Sequence, residues 1–285
     1  MFQEKQNTVS EDKEVDRMFY EMMEKDLRVE LDEEVPPPPV ALSFGTHTYK
    51  TRKGSVTEET PLATYGNFSF IQAPPKSFKS FFTSLVVSAY LKGQNRWVGD
   101  KFKSYKGDRK VFHFDTEQGK WHCQRGFRRV ASMSETLDGY NTYSLRTISY
   151  KHRLGFIEHI LSEQEEGTVG FVVIDGLADL VADVNNIEES NLCVQKLMEW
   201  SSKYNCHIMT VIHSNHGSDK PTGHLGSFCE KKTETQISLS REEDSKVVNV
   251  SCKRSRNHGF EDFSFFINSY GYPEVVDSNL PDIDY

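Results

Sequence analysis

The five cysteines of this 285-residue chain lack the spacing that a disulfide framework or a zinc site requires. They are odd in number, scattered and never arranged as C-x-x-C, at positions Cys123, Cys193, Cys206, Cys229 and Cys252. Disulfide-rich secreted domains and zinc modules both depend on such arrangements. We therefore expect neither feature, and a reducing compartment such as the cytoplasm.

Long apolar runs are also missing, since no stretch approaches the roughly 18 residues of a membrane-spanning helix. The N-terminus is acidic, whereas a secretory signal begins with a basic region. We expect a soluble cytoplasmic protein without a membrane partner. The length of 285 residues leaves room for one large domain of about 200–250 residues and an appendage.

A net positive charge, which is common in nucleic-acid-binding domains, is absent as well, because the formal net charge is −8. This charge is unevenly distributed along the chain. Residues 1–35 contain twelve acidic and five basic residues, so the remaining 250 residues carry a net charge of only −1. A nearly neutral body can still present basic patches, and local patches decide binding.

The N-terminal residues differ in composition from the rest of the chain. Apolar residues recur at helical spacing within 11–30, at Val15, Met18, Phe19, Met22 and Met23. This stripe belongs to an arm that lies on its own domain or is partly disordered, and the alternative is docking on a neighbouring subunit. Pro36–Pro39 forms a stiff spacer. We expect an acidic arm and linker at 1–39, one domain at 40–277 and a tail at 278–285.

Glycine is missing from a segment that otherwise has the order of a phosphate-binding loop. Residues 71–84 read IQAPPKSFKSFFTS and follow a strand-like stretch at 66–70. A strand, a small proline-rich turn and a Lys-Ser pair that opens an amphipathic helix can place polyphosphate at a helix N-terminus. Compared with G-x-x-x-x-G-K-[ST], Ala73 and Phe78 replace the two glycines. The alternative is that Lys79 and Ser80 begin an ordinary helix, because serine is a common cap residue.

In a phosphate-binding loop these residues would have separate roles. Lys79 would reach the β- and γ-phosphates, and the Ser80 hydroxyl would ligate Mg²⁺. The backbone around them would line the phosphates. The candidate nucleotide-contacting residues are Ala73, Pro74, Pro75, Lys76, Ser77, Phe78, Lys79, Ser80 and Phe81.

Two predicted strands end in carboxylates that would complete such a site. The apolar strand 169–174 closes on Asp175, and an aspartate there holds the Mg²⁺ shell opposite the serine hydroxyl. The strand 110–114 is followed by Asp115 and Glu117, and the carboxyl ends of strands in an α/β sheet face the ligand crevice. We expect the loop and Asp175 to be adjacent. The alternative for Asp175 is a plain Asp-Gly turn after a core strand.

Basic and aromatic residues alternate within 93–110. This composition suits single-stranded nucleic acid, because cations bind phosphates and rings stack on bases. A solvated surface loop is the alternative. The residues concerned are Arg96, Trp97, Lys101, Phe102, Lys103, Tyr105, Lys106, Arg109 and Lys110.

The order of the remaining elements predicts the fold class. Strands and helices alternate as far as a strand at 206–212, and consecutive strands follow at 233–240, 246–252 and 263–267. A Gly/Ser/His-rich loop is expected at 217–228. We predict an α/β fold with a mostly parallel central sheet and antiparallel strands at its C-terminal edge.

Taken in order, these motifs resemble the RecA-like P-loop ATPases. The resemblance is closest to the RepA/DnaB-type hexameric helicase branch and to the AAA family ATPases of Bacteroidetes mobile elements or phages. It covers about 66–267 and rests on F-D-T-E-Q, V-V-I-D-G-L-A-D-L, H-S-N with G-H-L-G-S, and K-R-S-R-N-H-G. It implies a DNA-associated ATPase with ATP and Mg²⁺ as cofactors, single-stranded DNA as a partner and a homo-oligomeric ring or filament.

The resemblance also implies residue roles. Glu117 corresponds to the glutamate that polarises the attacking water, and His213 to the polar residue that senses the γ-phosphate. The segments 215–227 and 183–190 resemble the DNA-contacting loops. Lys253, Arg254 and Arg256 resemble a Lys-x-Arg pair that reaches a neighbouring subunit's γ-phosphate, with Arg256 as the preferred finger. A basic surface turn is the alternative for these three residues.

Two departures leave a second function open. Ala73 and Phe78 put tight nucleotide binding in question, so the alternative is a nucleotide-binding or degenerate scaffold without significant turnover. The acidic arm is also too short for the separate N-terminal domain of a full replicative helicase. The expectation is therefore a lone motor or switch module.

Overall fold

The computed structural model describes residues 16–24, 27–214, 220–242 and 245–276. The chain divides into two compact units, Met1–Pro37 and Pro38–Tyr285. In the first unit, residues 16–24 are helical, whereas Val15 lies outside the described residues. What the apolar stripe of this helix contacts stays a prediction. Among the described residues, no helix combines the length and apolarity needed to cross a membrane.

The second unit contains two sheets and five helices in its described part, together with one short 3-10 helix at Leu177–Leu180. The strands are β1 (Val40–Thr51), β2 (Gly54–Thr64), β3 (Phe68–Ala73), β4 (Phe102–Ser104), β5 (Lys110–Asp115), β6 (Tyr140–Ser144), β7 (Val169–Asp175), β8 (His207–His213), β9 (Thr235–Ser240), β10 (Val247–Ser255), β11 (Phe263–Ile267) and β12 (Pro273–Val275). The helices are α1 (Lys79–Lys92), α2 (Lys120–Ser134), α3 (Tyr150–Ser162), α4 (Ile187–Lys203) and α5 (Gly223–Lys232).

The larger sheet has nine strands in the order β12-β11-β10-β9-β3-β8-β7-β5-β6. The six strands from β9 to β6 are parallel, and β10, β11 and β12 are added in antiparallel pairs. Every residue of β3 and of β7 is buried, as is usual for parallel strands that are covered on both faces. The predicted α/β fold, with antiparallel strands at the C-terminal edge, is confirmed.

Alternate residues of the parallel strands contribute to two hydrophobic cores, one on each face of the sheet. Ile71 of β3 belongs to the core that includes residues of α1, α2 and the smaller β2-β1-β4 sheet. Its neighbour Phe70 belongs to the other core, which includes residues of α3, α4 and α5. The period-2 alternation of a strand therefore places helices on both faces.

The predicted loop at 217–228 is wrong for its second half, because α5 begins at Gly223. Its glycines allow close packing. A Cβ at Gly223 would lie 2.6 Å from the Val184 carbonyl oxygen, and one at Gly226 would lie 2.7 Å from Cβ of Pro221. The predicted DNA-contacting loop 215–227 therefore ends inside a helix, and its residues 215–219 lie outside the described part.

The basic and aromatic segment 93–110 is not a solvated loop throughout. Trp97 is 8% exposed and Phe102 is fully buried in β4, which pairs with β1. Only Tyr105, at 40% exposure, retains an accessible ring among the three aromatic residues of the segment. Base stacking by Trp97 and Phe102 is excluded because both rings belong to the core.

The β1–β2 hairpin was not predicted from the sequence. Its inner half is buried, but its outer half is largely exposed, so the apolar alternation typical of a strand is absent there. Polar cross-strand pairs hold this half instead. Thr48 and Thr57 are linked by a 2.8 Å hydrogen bond, and Tyr49 donates its hydroxyl to Glu58 at 2.8 Å.

Packing between α1 and β7 predicts the effect of a single methyl group. A Cβ at buried Gly170 would collide with Oη of Tyr90, which is hydrogen-bonded to Tyr65, and would lie 2.7 Å from Cβ of Arg109. We expect Gly170→Ala to lower the free energy of unfolding by about 1–3 kcal/mol, measured by urea denaturation. Gly155→Ala is the control. It adds a Cβ with nothing within 4 Å and should raise stability by up to about 1 kcal/mol.

Candidate active site

Parallel pairing brings four strand ends to one edge of the large sheet. Ala73 at the end of β3 pairs with His213 at the end of β8, and Asp115 at the end of β5 pairs with Asp175 at the end of β7. Because β8 lies between β3 and β7, the loop strand and the Asp175 strand are not neighbours. Side chains at the start of α1 reach toward Asp175 instead, since the charges of Lys79 and Asp175 act on each other's pKa.

The loop between β3 and α1 has the left-handed backbone that the missing glycine would supply. Phe78, the N-cap residue of α1, has φ 58° and ψ 32°, and Lys76 has φ 62°. For a residue other than glycine, the left-handed conformation costs about 1–2 kcal/mol. The Phe78 ring packs against Phe81 at 5.4 Å between centroids, and the Arg241 guanidinium lies 4.8 Å from its centroid.

Lys79 points into the site, where it has two hydrogen-bond partners. Its Nζ donates to the Pro74 carbonyl oxygen at 3.0 Å and to His213 Nδ1 at 3.2 Å. Ser77 tightens the same turn by donating to the Pro74 carbonyl oxygen at 2.6 Å. Partial burial lowers the pKa of the Lys79 ammonium group, whereas the charges of Glu117 and Asp175 favour its protonated form.

His213 links Lys79 to Glu117. Since its Nδ1 accepts from Lys79, its Nε2 carries the ring proton and donates to Glu117 Oε1 at 3.2 Å. This hydrogen bond is the largest cause of a lowered pKa at Glu117, which partial burial opposes and the positive charge of Lys79 supports to a smaller extent. Glu117 is therefore ionised at neutral pH. Its side chain is 39% exposed, so the site remains open to water.

Asp115 orients the turn that carries Glu117, a role that sequence reasoning missed. Its Oδ1 accepts the backbone N–H groups of Glu117 at 3.0 Å and Gln118 at 2.7 Å. Thr116 completes the turn by donating its hydroxyl to the Asp175 carbonyl oxygen at 3.0 Å. The available signal was an aspartate followed by a short polar turn, since aspartate side chains commonly accept N–H groups two and three residues later.

Asp175 is a buried carboxylate with little compensation. Only 6% of the residue is exposed. Burial, together with the charges of Asp115 and Glu117, raises its pKa from 3.8 to about 7, although Lys79 and Ser80 oppose the shift. A divalent cation beside Asp175 would neutralise this crowding of carboxylates. Carboxylate and hydroxyl oxygens are also the ligands that Mg²⁺ prefers, so Asp175, Ser80 and Lys79 fit a Mg²⁺–triphosphate group.

Arg241 is a second residue that the sequence did not reveal. It follows β9, and its Nη1 donates to the Ser245 carbonyl oxygen at 2.8 Å while the guanidinium covers Phe78. It therefore places a cation beside the phosphate-binding turn. Nothing in the local sequence marks it, because the contact joins residues distant in the chain.

The structure does not bring Lys253, Arg254 and Arg256 to this edge. The pairing of Ser255 with Thr235, and of Thr235 with Ser69, places the end of β10 beside the beginning of β3. The loop and α1 lie at the other end of β3. Arg256 is exposed, and its Nη2 donates to the Lys232 carbonyl oxygen at 2.9 Å.

Comparison with known proteins assigns the family. Residues 60–219, more than half of the chain, match the model of a family described as AAA domain. The chain belongs to this AAA domain family. Among solved structures, the crystal structure of the RadB recombinase is similar, with a TM-score of 0.52, 16% identity, and coverage of 75% of this chain and 92% of that one. No curated protein sequence matches significantly.

These similarities confirm the coarser part of the predicted resemblance. The AAA domain has the fold of a RecA-like P-loop ATPase. The narrower assignment to the RepA/DnaB-type branch is not decided by them. The roles of individual residues also stay predictions.

The raised pKa of Asp175 predicts a pH-dependent effect of its neutralisation. In the folded protein this carboxyl binds a proton more tightly than in the unfolded chain, so its ionisation reduces stability as pH rises from about 4 through 7. Without Mg²⁺ and nucleotide, Asp175→Asn should have a higher free energy of unfolding than wild type at pH 8. The gain has an upper limit of about 4 kcal/mol and should shrink at pH 5.

Urea denaturation in EDTA at the two pH values measures this difference. Asp138→Asn, which removes an exposed carboxylate, should leave the stability profile close to that of wild type at both pH values. Equal destabilisation by Asp175→Asn at pH 5 and pH 8 would contradict the assigned electrostatic cost.

Proposed function

We propose that this AAA domain protein is a Mg²⁺-dependent ATPase that acts with DNA as a motor or switch in replication, recombination or mobile-element maintenance. The observation that carries the proposal is the hydrogen-bonded chain from Lys79 through His213 to Glu117, beside buried Asp175. It combines a cation for phosphate, a polar link to the γ-phosphate position and an ionised base.

The reaction is in-line attack of water on the ATP γ-phosphate. Lys79 exchanges the Pro74 carbonyl oxygen for phosphate oxygens. Ser80 and Asp175 would hold Mg²⁺, which supplies positive charge to the phosphates. Glu117 accepts a hydrogen bond from the attacking water, and His213 reports through Nε2 whether the γ-phosphate is present. The left-handed residue Phe78 leads into α1, where the N–H groups of Lys79 and Ser80 would meet the phosphates.

Arg256 acts on the neighbouring subunit in this proposal. Arg256 lies near the beginning of β3, whereas Lys79 follows the end of β3. This separation supports action in trans, because the same chain cannot bring the two residues together. Lys253 or Arg254 assists. A contact between opposite edges of adjacent copies is heterologous, and repeated heterologous contacts form rings or helical filaments.

The DNA partner and the RepA/DnaB-type helicase branch are proposed from the sequence motifs. The similar solved structure is a recombinase by its title, which suits a role on DNA. Single-stranded DNA is the expected ligand. Segment 183–190 and the residues that precede α5 are the proposed contacts.

A degenerate scaffold without significant turnover is the second candidate, because Phe78 and Ala73 replace both loop glycines. Titration with ATP and Mg²⁺ separates the two. An ATP-binding protein at a ligand concentration of about 100 times Kd gains roughly 2.7 kcal/mol of stability. The absence of any thermal shift at millimolar ATP would favour the scaffold.

Glu117→Gln tests the hydrolytic role of the carboxylate. It removes the base but keeps a side chain of the same size, so kcat for ATP should fall about 10²–10⁴-fold while ATP affinity remains. Phosphate release measures turnover, and a thermal shift measures binding. Glu135→Gln, at an exposed glutamate paired with Lys92, is the control that should keep the wild-type rate. Equal rates for Glu117→Gln and wild type would remove Glu117 from the mechanism.

Mixing two inactive variants tests action in trans. Arg256→Ala lacks the finger and Lys79→Ala lacks the phosphate-binding cation, so each should hydrolyse ATP poorly alone. In mixed assemblies some interfaces combine an intact Lys79 site with an intact Arg256 and should recover part of the activity. Full turnover by a protein that remains monomeric with ATP and single-stranded DNA would show that the finger does not act in trans.

A further inference from the structure

A buried carboxylate, outside the candidate active site, lies directly beneath Arg256. Glu234 follows α5 and is 4% exposed. Its Oε1 accepts hydrogen bonds from the Thr64 hydroxyl at 2.5 Å and from Asn257 Nδ2 at 3.0 Å. Its Oε2 accepts the Thr64 backbone N–H at 3.2 Å. The Glu234 backbone carbonyl also accepts the N–H of Arg256 at 2.9 Å.

The nearby histidine does not neutralise Glu234. His207 is fully buried, and burial lowers its pKa to about 4. Its Nδ1 donates to the Thr64 carbonyl oxygen at 2.9 Å, so its Nε2 accepts from the Ser69 hydroxyl at 2.8 Å. Burial raises the pKa of Glu234, whereas the hydrogen bonds of Thr64 and Asn257 and the charge of Arg256 oppose that shift. The segment that carries Arg256 is therefore one source of compensation for the buried carboxylate.

Two further contacts fix the same segment. Arg256 Nη2 donates to the Lys232 carbonyl oxygen at the end of α5. The His258 ring stacks on His47 of β1, with centroids 4.1 Å apart and an interplanar angle of 29°. The turn after β10 is thus held at its backbone, at Asn257 and at His258. The Arg256 side chain itself remains exposed.

We propose that Glu234 is a positioning residue for Arg256. Through Asn257 and the Arg256 backbone it fixes the direction in which the guanidinium leaves the subunit, and hence where it meets the γ-phosphate bound by the adjacent copy. The inference rests on the proposed trans-acting ATPase. A group that must reach a reacting phosphate across an interface needs such preorganisation, because a displacement of about 1 Å can cost about 10²-fold in rate.

The experiment compares steady-state ATP hydrolysis by the full-length assembled protein with single-stranded DNA. Glu234→Ala should lower kcat about 10- to 100-fold. The KM for ATP should stay within about two-fold of the wild-type value, because the Lys79 site of each subunit is unaltered. Asn257→Ala removes a single hydrogen bond from an exposed residue and preserves the fold. It should lower kcat in the same way, to a smaller extent.

A double-mutant cycle separates positioning from general support of the structure. If Glu234 acts through Arg256, then Glu234→Ala or Asn257→Ala introduced into Arg256→Ala should cause no further loss of kcat. Asn268→Ala is the control, because Asn268 Nδ2 also donates to a glutamate, Glu274, at 3.0 Å but lies outside this turn. It removes more than Asn257→Ala does, since Asn268 Oδ1 also accepts the N–H groups of Tyr270 and Tyr272. Asn268→Ala should keep the wild-type kcat.

The possible failures are distinguishable. Full activity of Arg256→Ala would overturn the proposed trans finger itself. A large loss in Arg256→Ala with wild-type kcat in Asn257→Ala and in Glu234→Ala would overturn the positioning role alone. If Asn257→Ala lowers kcat by the same factor in the presence and in the absence of Arg256, the positioning role is also overturned, because the effect would then be merely structural. If Glu234→Ala does not fold, Asn257→Ala decides the question.

Discussion

The parallel register of β3, β8, β7 and β5 is the constraint on which the candidate site depends. It sets Ala73 beside His213 and Asp175 beside Asp115, so the functional groups leave the sheet from ends that cannot move independently. A slip of one residue would turn every side chain of a strand to the other face. Because the sheet is buried on both faces, such a slip would be costly. The strand ends that form the site are therefore held in fixed positions.

The electrostatics of the site reflect the same constraint. Three carboxylates, Asp115, Glu117 and Asp175, lie at adjacent strand ends. The charges of Asp115 and Glu117 add to the effect of burial on the pKa of Asp175, which Lys79 only partly offsets, whereas His213 and Lys79 lower the pKa of Glu117. Asp175 bears most of this electrostatic cost: it is 6% exposed, whereas Asp115, at 3%, is compensated by the backbone N–H groups of Glu117 and Gln118. The fold thus leaves a destabilising carboxylate at one end of the strands, whereas the buried carboxylate of Glu234 at the other end accepts hydrogen bonds from Thr64 and Asn257.

Sequence reasoning succeeded where one strand carries the whole signal. The apolar strands β5, β7 and β8 were predicted from the sequence, and the structure places Glu117, Asp175 and His213 at or just after their ends. The roles of these three residues stay predictions. Sequence reasoning failed where the signal depends on what lies opposite in space. The outer β1–β2 hairpin has no apolar face, and the glycines of α5 serve packing that only the fold reveals. Trp97 and Phe102 resemble surface rings in the sequence, but Trp97 packs near Tyr272 and Phe102 packs against Phe44 of β1. The left-handed backbone of Phe78 has no signal in the sequence.

The position of β3 in the sheet also has a consequence for biosynthesis. Phe68 pairs with Ile208 on one side, and Ser69 pairs with Thr235 on the other. Both neighbours of this strand leave the ribosome long after it does, and closing such long loops is slow compared with forming local contacts. The β10–β11 hairpin, by contrast, joins nearby residues. The strand that leads into the phosphate-binding turn therefore stays without its partners until β8 and β9 have been made, and its apolar residues are exposed to chaperones or to aggregation during that interval.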